Sequence, residues 1–146
     1  MRKDQDPKQK LKEVACTILY DKDKKVLLQH RTKYTKRLPC YWAFFGGSVN
    51  KGETPNEAAK REAFEELNFI SRNPKLVLQQ KFTLLEKNYM KNVFIERCED
   101  KSNLKLQEGQ DWGWYDIEDT KKLKMIFHDR EALQHIKEIL NRHQKK

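Results

Sequence analysis

Residues 47–69 read GSVNKGETPNEAAKREAFEELNF, and the middle of this stretch specifies a helix at both ends. Thr54, Pro55, Asn56 and Glu57 have the form of a capping box: a hydroxyl for the free N–H groups, proline at the first helical position, and a glutamate three residues after the cap. The helix is expected to start at Thr54, run to Leu67 and stop at Asn68, because asparagine, after glycine, best tolerates the left-handed backbone of a C-terminal cap. Phe64 and Phe69 are spaced for the apolar contact that accompanies such caps. With residues about 100° apart, Glu62, Glu65 and Glu66 fall within about a 100° arc, and Ala59, Ala63 and Leu67 form the adjoining stripe that packs on a sheet. Carboxylates so placed repel one another by roughly 0.2 to 0.5 kcal/mol per close pair on an exposed helix, and by more when partly buried. A divalent cation removes that penalty; Mg²⁺ in particular prefers carboxylate oxygens, keeps several waters and binds substrate phosphates. For the triplet taken alone, the competing reading is a solvated acidic face paired to nearby lysines.

Outward from the helix, the flanks read mostly as strands. Val14, Cys16, Ile18 and Tyr20 alternate with Ala15, Thr17 and Leu19, which are also apolar or small, as in a strand covered on both faces. Asp21 to Lys24 reads as a turn, and Lys25 to Gln29 returns as the second strand of a hairpin whose tip is too polar to be buried. From His30 to Tyr41 no period holds, and Arg31, Lys33, Lys36 and Arg37 gather in a loop. Trp42 to Phe45 is a short apolar strand running into Gly46 and Gly47, where missing side chains permit unusual dihedrals or close approach to the backbone. After the helix, Leu76, Leu78, Phe82 and Leu84 alternate with polar positions; Val93 to Cys98 and Trp112 to Tyr115 follow as strands. Ala132, Leu133, Ile136, Ile139 and Leu140 have the spacing of a closing amphipathic helix. Strands and helices do not alternate regularly, which argues against a doubly wound parallel sheet and for a mixed sheet flanked by at least two helices, an α/β (α+β) domain.

The bulk composition narrows the class. A chain of 146 residues suits one domain with its own core: a flexible basic tail at 1–10 (MRKDQDPKQK), then a single domain over 11–146. The formal net charge of +9 favours anionic partners, nucleotides, RNA or acidic surfaces, although the charges are interspersed rather than massed. No run approaches the roughly 20 apolar residues of a membrane span and the start has no signal-peptide pattern, so a cytoplasmic protein with no membrane partner is expected. Cys16, Cys40 and Cys98 lie far apart without a CxxC pair, which suggests neither a disulfide framework nor a zinc site.

The segment 47–69 resembles the Nudix box: Gly, five residues, Glu, seven residues, Arg-Glu, an apolar residue, any residue, Glu-Glu, any residue, Gly and an apolar residue. Gly47, Glu53, Arg61, Glu62, Glu65 and Glu66 occupy the discriminating positions, a coincidence with a chance probability on the order of 10⁻⁵. Asn68 stands in place of the usual glycine, and Phe45 in place of the proline common before the paired glycines. The order of elements around the box is also similar to the family's. The resemblance implies an α/β/α sandwich around a mixed β-sheet, with Mg²⁺, or Mn²⁺ as the alternative ion, held by Glu62, Glu65, Glu66 and the Gly47 carbonyl. Glu53 and Arg61 would pair to brace the loop against the helix. Glu108, in LQEGQDWGWY, looks like the extra carboxylate that relatives take from a later loop.

The implied chemistry is that of a nucleotide pyrophosphatase: hydrolysis of a diphosphate bond in a nucleoside diphosphate linked to some group X. Glu65 and Glu66 would be chiefly ligands, and either Glu62 or Glu108 would orient or deprotonate the attacking water. Arg31 would bind a substrate phosphate. Trp42, Phe44 and Trp114 are candidates to stack a base, with a core role as the alternative for each. His128 and Asp129, before the last helix, lie where relatives touch the base; capping by Asp129 is the alternative. An ordinary or oxidised (d)NTP, giving a nucleoside monophosphate and pyrophosphate, is the leading substrate class. Removal of pyrophosphate from RNA 5′ ends and a non-catalytic nucleotide-binding module are the alternatives. Isomerisation of a small diphosphate would need a Cys–Glu pair, for which Cys40 is the one thiol near the box.

Overall fold

The computed structural model describes residues 11–107 and 111–144; the tail expected at 1–10 and the candidate Glu108 lie outside them. In chain order it contains β1 (Lys12–Tyr20), β2 (Val26–His30), β3 (Trp42–Ala43), β4 (Phe45–Ser48), α1 (Pro55–Leu67), β5 (Lys75–Leu84), β6 (Lys87–Arg97), β7 (Asp111–Tyr115), a 3-10 helix at Ile117–Lys122 and α2 (Phe127–Gln144). The strands join in one mixed sheet. β1 runs parallel to β6 from Lys12↔Tyr89 to Tyr20↔Arg97, and β6 carries β5 antiparallel on its other side.

The fork in this sheet creates the site. β1 and β2 pair only at Tyr20↔Val26 and then diverge. The segment 42–48 fills the gap: β3 pairs with β2 through Gln29↔Ala43 and His30↔Trp42, and β4 pairs with β1 from Val14↔Ser48 to Thr17↔Phe45. The change of partner falls at Phe44. A main-chain carbonyl freed there would be costly if left unpaired in the interior; the buried Gln29 side chain donates to the Phe44 carbonyl at 2.9 Å. The hairpin expected from the sequence is therefore a splayed one. Its tip also differs: Asp21 is buried, accepting from the backbone N–H groups of Asp23 and Lys25, each at 2.9 Å, and from Lys101 Nζ. A polar turn residue is tolerated inside because both carboxylate oxygens find donors.

The α/β/α layering follows from alternation along β1 and β6. Cys16, Ile18, Val93 and Ile95 share a core with Ala132, Leu133, Ile136 and Leu140 of α2. Ala15 and Phe94 pack with Ala58 and Ala59 of α1, while Leu19 meets Leu67. Successive residues face opposite sides, so the helices lie on opposite faces. No helix among the described residues is long and apolar enough to cross a membrane.

α1 has the predicted ends. The capping box is complete, with Thr54 Oγ1 accepting from Glu57 N at 3.1 Å and Glu57 Oε1 from Thr54 N at 2.9 Å. Asn68 is left-handed at φ 58°, and Asn68 N and Phe69 N donate to the Phe64 and Ala63 carbonyls. The expected Phe64–Phe69 partnership takes another form: Phe64 is 55% exposed, and Phe69 packs on the cluster that contains Leu67. β6 starts six residues before the expected Val93 because β5 and β6 are joined by a tight hairpin at Leu85 and Glu86, with φ of 51° and 66°. Such turns usually advertise themselves as Asn-Gly or Asp-Gly, and Leu-Glu does not.

Candidate active site

Five of the six box positions come together where β4 meets α1: Arg61 is the hub for Glu53, Glu62 and Glu65, and Gly47 lies against Glu62. Arg61 Nε donates to Glu53 Oε2 at 2.8 Å and its Nη2 to Glu53 Oε1 at 3.0 Å, a fork-on-fork pair. Nη2 also reaches the Ser48 carbonyl at 2.9 Å, and Nη1 reaches Glu62 Oε2 at 2.8 Å and Glu65 Oε1 at 3.2 Å. Glu53 in turn accepts from Asn50 N at 2.9 Å. The loop 48–53 is thus tied to α1 through one guanidinium, as the Glu53–Arg61 reading expects. The carboxylates beside Arg61 push its basicity up, and the Arg61 hydrogen bond holds the Glu53 carboxyl below the usual carboxylate range.

That shift has a sign. With the folded value of Glu53 below the unfolded one of about 4.3, acidification protonates the unfolded chain first. The stabilisation is complete above that range and is lost as pH falls through the lowered folded value. Thermal melts of the protein are therefore expected to drop on acidification below about pH 4.5, and melts of Glu53→Gln to drop less steeply over the same interval. Parallel curves for the two proteins would show that the Glu53 brace does not contribute.

Gly47 explains itself through contact. A Cβ there would sit 2.6 Å from Glu62 Oε2 and 2.7 Å from its Cδ, so the missing side chain is the space the Glu62 carboxylate occupies. Gly46 is constrained by backbone instead: its Cβ would lie 2.2 Å from the Ala15 carbonyl oxygen. Of the three helix glutamates, Glu66 is buried, whereas the Glu65 side chain is 56% exposed. Among the described residues no three His, Cys, Asp or Glu side chains converge on one point as a preformed metal cluster. The mutual repulsion expected of the glutamates is relieved here by Arg61, which draws Glu62 and Glu65 to itself. The donor set is nevertheless one of hard carboxylate oxygens, which suits Mg²⁺ or Mn²⁺.

The segment after β6 is laced along the end of α1. Lys105 N donates to the Leu67 carbonyl and Gln107 N to the Glu66 carbonyl, each at 2.9 Å, and Asn68 Nδ2 donates to the Asn103 carbonyl at 3.0 Å. Asparagine in place of the family glycine therefore adds a tether that glycine lacks.

The other candidates separate into groups. Arg31, in the loop after β2, donates through Nε to the Arg37 carbonyl at 3.0 Å. Trp42 is stacked on His30 at 4.7 Å and meets Tyr115 edge-on at 5.3 Å. Phe44 is buried in the core on the α2 side. Trp114 packs on the opposite face, with Lys101 Nζ 3.9 Å from its ring centre. His128 stacks on Phe82 at 4.2 Å, and Phe82 on Tyr89 at 4.9 Å. Asp129, besides following the start of α2, is bonded to Lys91 Nζ at 2.5 Å. Burial pushes the Cys16 thiol up to about 12, with Lys91 opposing and Asp129 and Glu66 adding to the rise. Cys16, Cys40 and Cys98 are all free thiols.

Lys91, Phe82 and Tyr89 escape a reading based on box motifs. Their signal is the inward alternation of Tyr89, Lys91, Val93 and Ile95, in which a lysine takes an apolar slot. A buried lysine needs a buried partner, and Asp129 is that partner.

A NUDIX domain model matches residues 10–136 of the chain. Among solved structures, the fold is similar to a MutT protein from Methanosarcina mazei Go1, with a TM-score of 0.78 and 22% identity over 94% of this chain and 98% of that one. It is also similar to the C. elegans Ap4A hydrolase, with a TM-score of 0.76 and 21% identity over 90% and 98% of the two chains. The E. coli dihydroneopterin triphosphate pyrophosphohydrolase aligns with a TM-score of 0.69 and 20% identity over 84% and 92%.

Proposed function

The chain belongs to the NUDIX family, and we propose that it hydrolyses a diphosphate linkage in a nucleotide, with an ordinary or oxidised (d)NTP as substrate and a nucleoside monophosphate and pyrophosphate as products. The observation that carries this reading is the box itself: a glycine whose missing Cβ seats Glu62, and an arginine that gathers Glu53, Glu62 and Glu65 beside the buried Glu66. Named relatives of similar fold act on compounds of this kind, including Ap4A and dihydroneopterin triphosphate.

Glu62, Glu65, Glu66 and the Gly47 carbonyl would hold Mg²⁺ or Mn²⁺, joined by Glu108. Support for Glu108 comes from the sequence alone, where LQEGQDWGWY resembles the segment that carries the extra carboxylate in the family. When bound, the cation neutralises the bridging phosphates and makes water more acidic. The protein's own tasks are to hold the phosphates, through Arg31, and to seat the base near Trp42 and His128. It must also take a proton from the attacking water, at Glu62 or Glu108. Glu53 and Arg61 keep the loop and helix in register. A cytoplasmic setting fits this chemistry.

The test is a substrate panel with Mg²⁺ or Mn²⁺ and product analysis: ordinary and oxidised (d)NTPs, nucleoside diphosphates linked to sugars, and 5′-triphosphorylated RNA. Nucleoside monophosphate with equimolar pyrophosphate is the expected outcome. If RNA is the substrate, activity should collapse between roughly 50 and 200 mM salt, because many lysine–phosphate contacts release counterions. Cleavage of nothing on the panel would replace the enzyme with a nucleotide-binding module.

A further inference from the structure

Opposite the glutamate helix, the α2 side of the sheet carries a cluster that the box chemistry leaves unused. Gln80↔Lys91 and Phe82↔Tyr89 are cross-strand pairs of β5 and β6, so their four side chains share one face. Lys91 is 5% exposed, with Nζ 5.3 Å from the Phe44 ring centre and 5.8 Å from that of Phe82. Its ammonium has two strong partners, Asp129 Oδ1 at 2.5 Å and His128 Nδ1 at 2.7 Å. Gln80 Nε2 fixes the start of α2 by donating to the His128 carbonyl at 2.9 Å.

The second contact decides the state of the imidazole. An ammonium has hydrogens and no lone pair, so a nitrogen 2.7 Å away must accept. His128 Nδ1 therefore carries the lone pair and Nε2 carries the hydrogen. Nε2 is buried and has no hydrogen-bond partner among the described residues, and the same is true of Gln80 Oε1. The corner thus holds a donor and an acceptor, beside the stacked rings of His128, Phe82 and Tyr89.

We propose that Lys91 is a specificity-positioning residue: by bonding His128 Nδ1 and Asp129 it locks His128 as an Nε2–H donor, and this corner then selects a planar heterocycle that offers an acceptor there, an oxo group at purine C6 or pyrimidine C4 rather than an amino group. The proposal rests on this corner belonging to the proposed nucleotide site. Without the ammonium, Asp129 Oδ1, 3.5 Å from Nδ1, becomes the natural acceptor for an Nδ1–H. Nε2 then turns into an acceptor and the preference at that edge inverts. Sites built to hydrogen-bond one group reject analogues that lack it, because buried polar atoms are left unpaired.

Long-range proton–nitrogen NMR on histidine-labelled protein reads the tautomer directly, with His128 assigned by its loss in His128→Gln. A neutral ring protonated at Nε2 is expected in the full-length protein, and an Nδ1-protonated ring is expected in Lys91→Met. An imidazolium or an Nδ1–H form in the unsubstituted protein overturns the proposal. The second arm compares kcat/KM for guanine and uracil triphosphates with that for adenine and cytosine triphosphates. A preference of at least about tenfold is expected for the pair with an oxo group at purine C6 or pyrimidine C4 over the pair with an amino group there, shrinking or reversing in Lys91→Met; equal use of the two pairs overturns it. If Lys91→Met does not fold, the spectrum and base preference of the unsubstituted protein decide. The NMR arm needs no turnover, so failure of the hydrolase reading and failure of this one are told apart.

Discussion

Replacing Glu66 by Gln is expected to reduce metal-dependent mononucleotide release by at least about a hundredfold while moving the thermal midpoint by less than about 5 °C. The magnitude follows from a comparison within the site. Residues that merely brace a metal ligand typically cost about 10- to 100-fold when changed, which is the range expected for Glu53→Gln. A ligand itself should cost no less than the top of that range. Glutamine keeps the shape of the buried Glu66 side chain, so the packing around it survives. Glu65→Gln should lose activity to a similar degree, and its exposed side chain makes a folding defect a poor explanation. Full activity in either variant, measured beside circular dichroism and a melting curve, would sink the assignment of the metal site.

The second large effect is on stability. In Gly46→Ala the new methyl would meet the Ala15 carbonyl oxygen at 2.2 Å and Cys16 Cα at 2.6 Å. Both belong to the central strand β1, which pairs on its other side with β6 and has no room to yield. The cost should exceed the roughly 1–3 kcal/mol of ordinary overpacking and lower the melting midpoint by more than about 10 °C. Gly47→Ala is the matched contrast. Its methyl meets only the end of the Glu62 side chain, which can swing away. Stability should change little there, while catalysis falls because Glu62 is displaced. A melting curve for Gly46→Ala superimposed on that of the parent would contradict the β1–β4 register.

Legibility in the sequence tracked the range of the interactions. α1 could be read to its caps because the capping box and the left-handed Asn68 are governed by residues within a few positions of each other. The Glu53–Arg61 brace was legible through family likeness, and the structure adds Ser48, Glu62 and Glu65 to the same guanidinium. The splayed β1–β2 hairpin was not legible, because it depends on segment 42–48 wedging between two strands that are neighbours in sequence. Lys91 was missed for a similar reason: its partners, Asp129 and His128, come from the far end of the chain. Phe64 was expected to close the cap and instead faces outward, since spacing allows a contact without compelling it.

Arg61 has a consequence for how the protein comes into being. A guanidinium that already gathers two of the glutamates lets the chain reach its fold before it meets any ion. Like charges that would otherwise frustrate assembly are neutralised from within. On the proposed metal reading, an ion would have to compete with a resident cation for the same oxygens, so the affinity measured for Mg²⁺ would be a difference between two rivals rather than the full strength of the carboxylates. Looser retention of such an ion would be the cost of folding without it, and easy exchange with the surrounding pool the benefit.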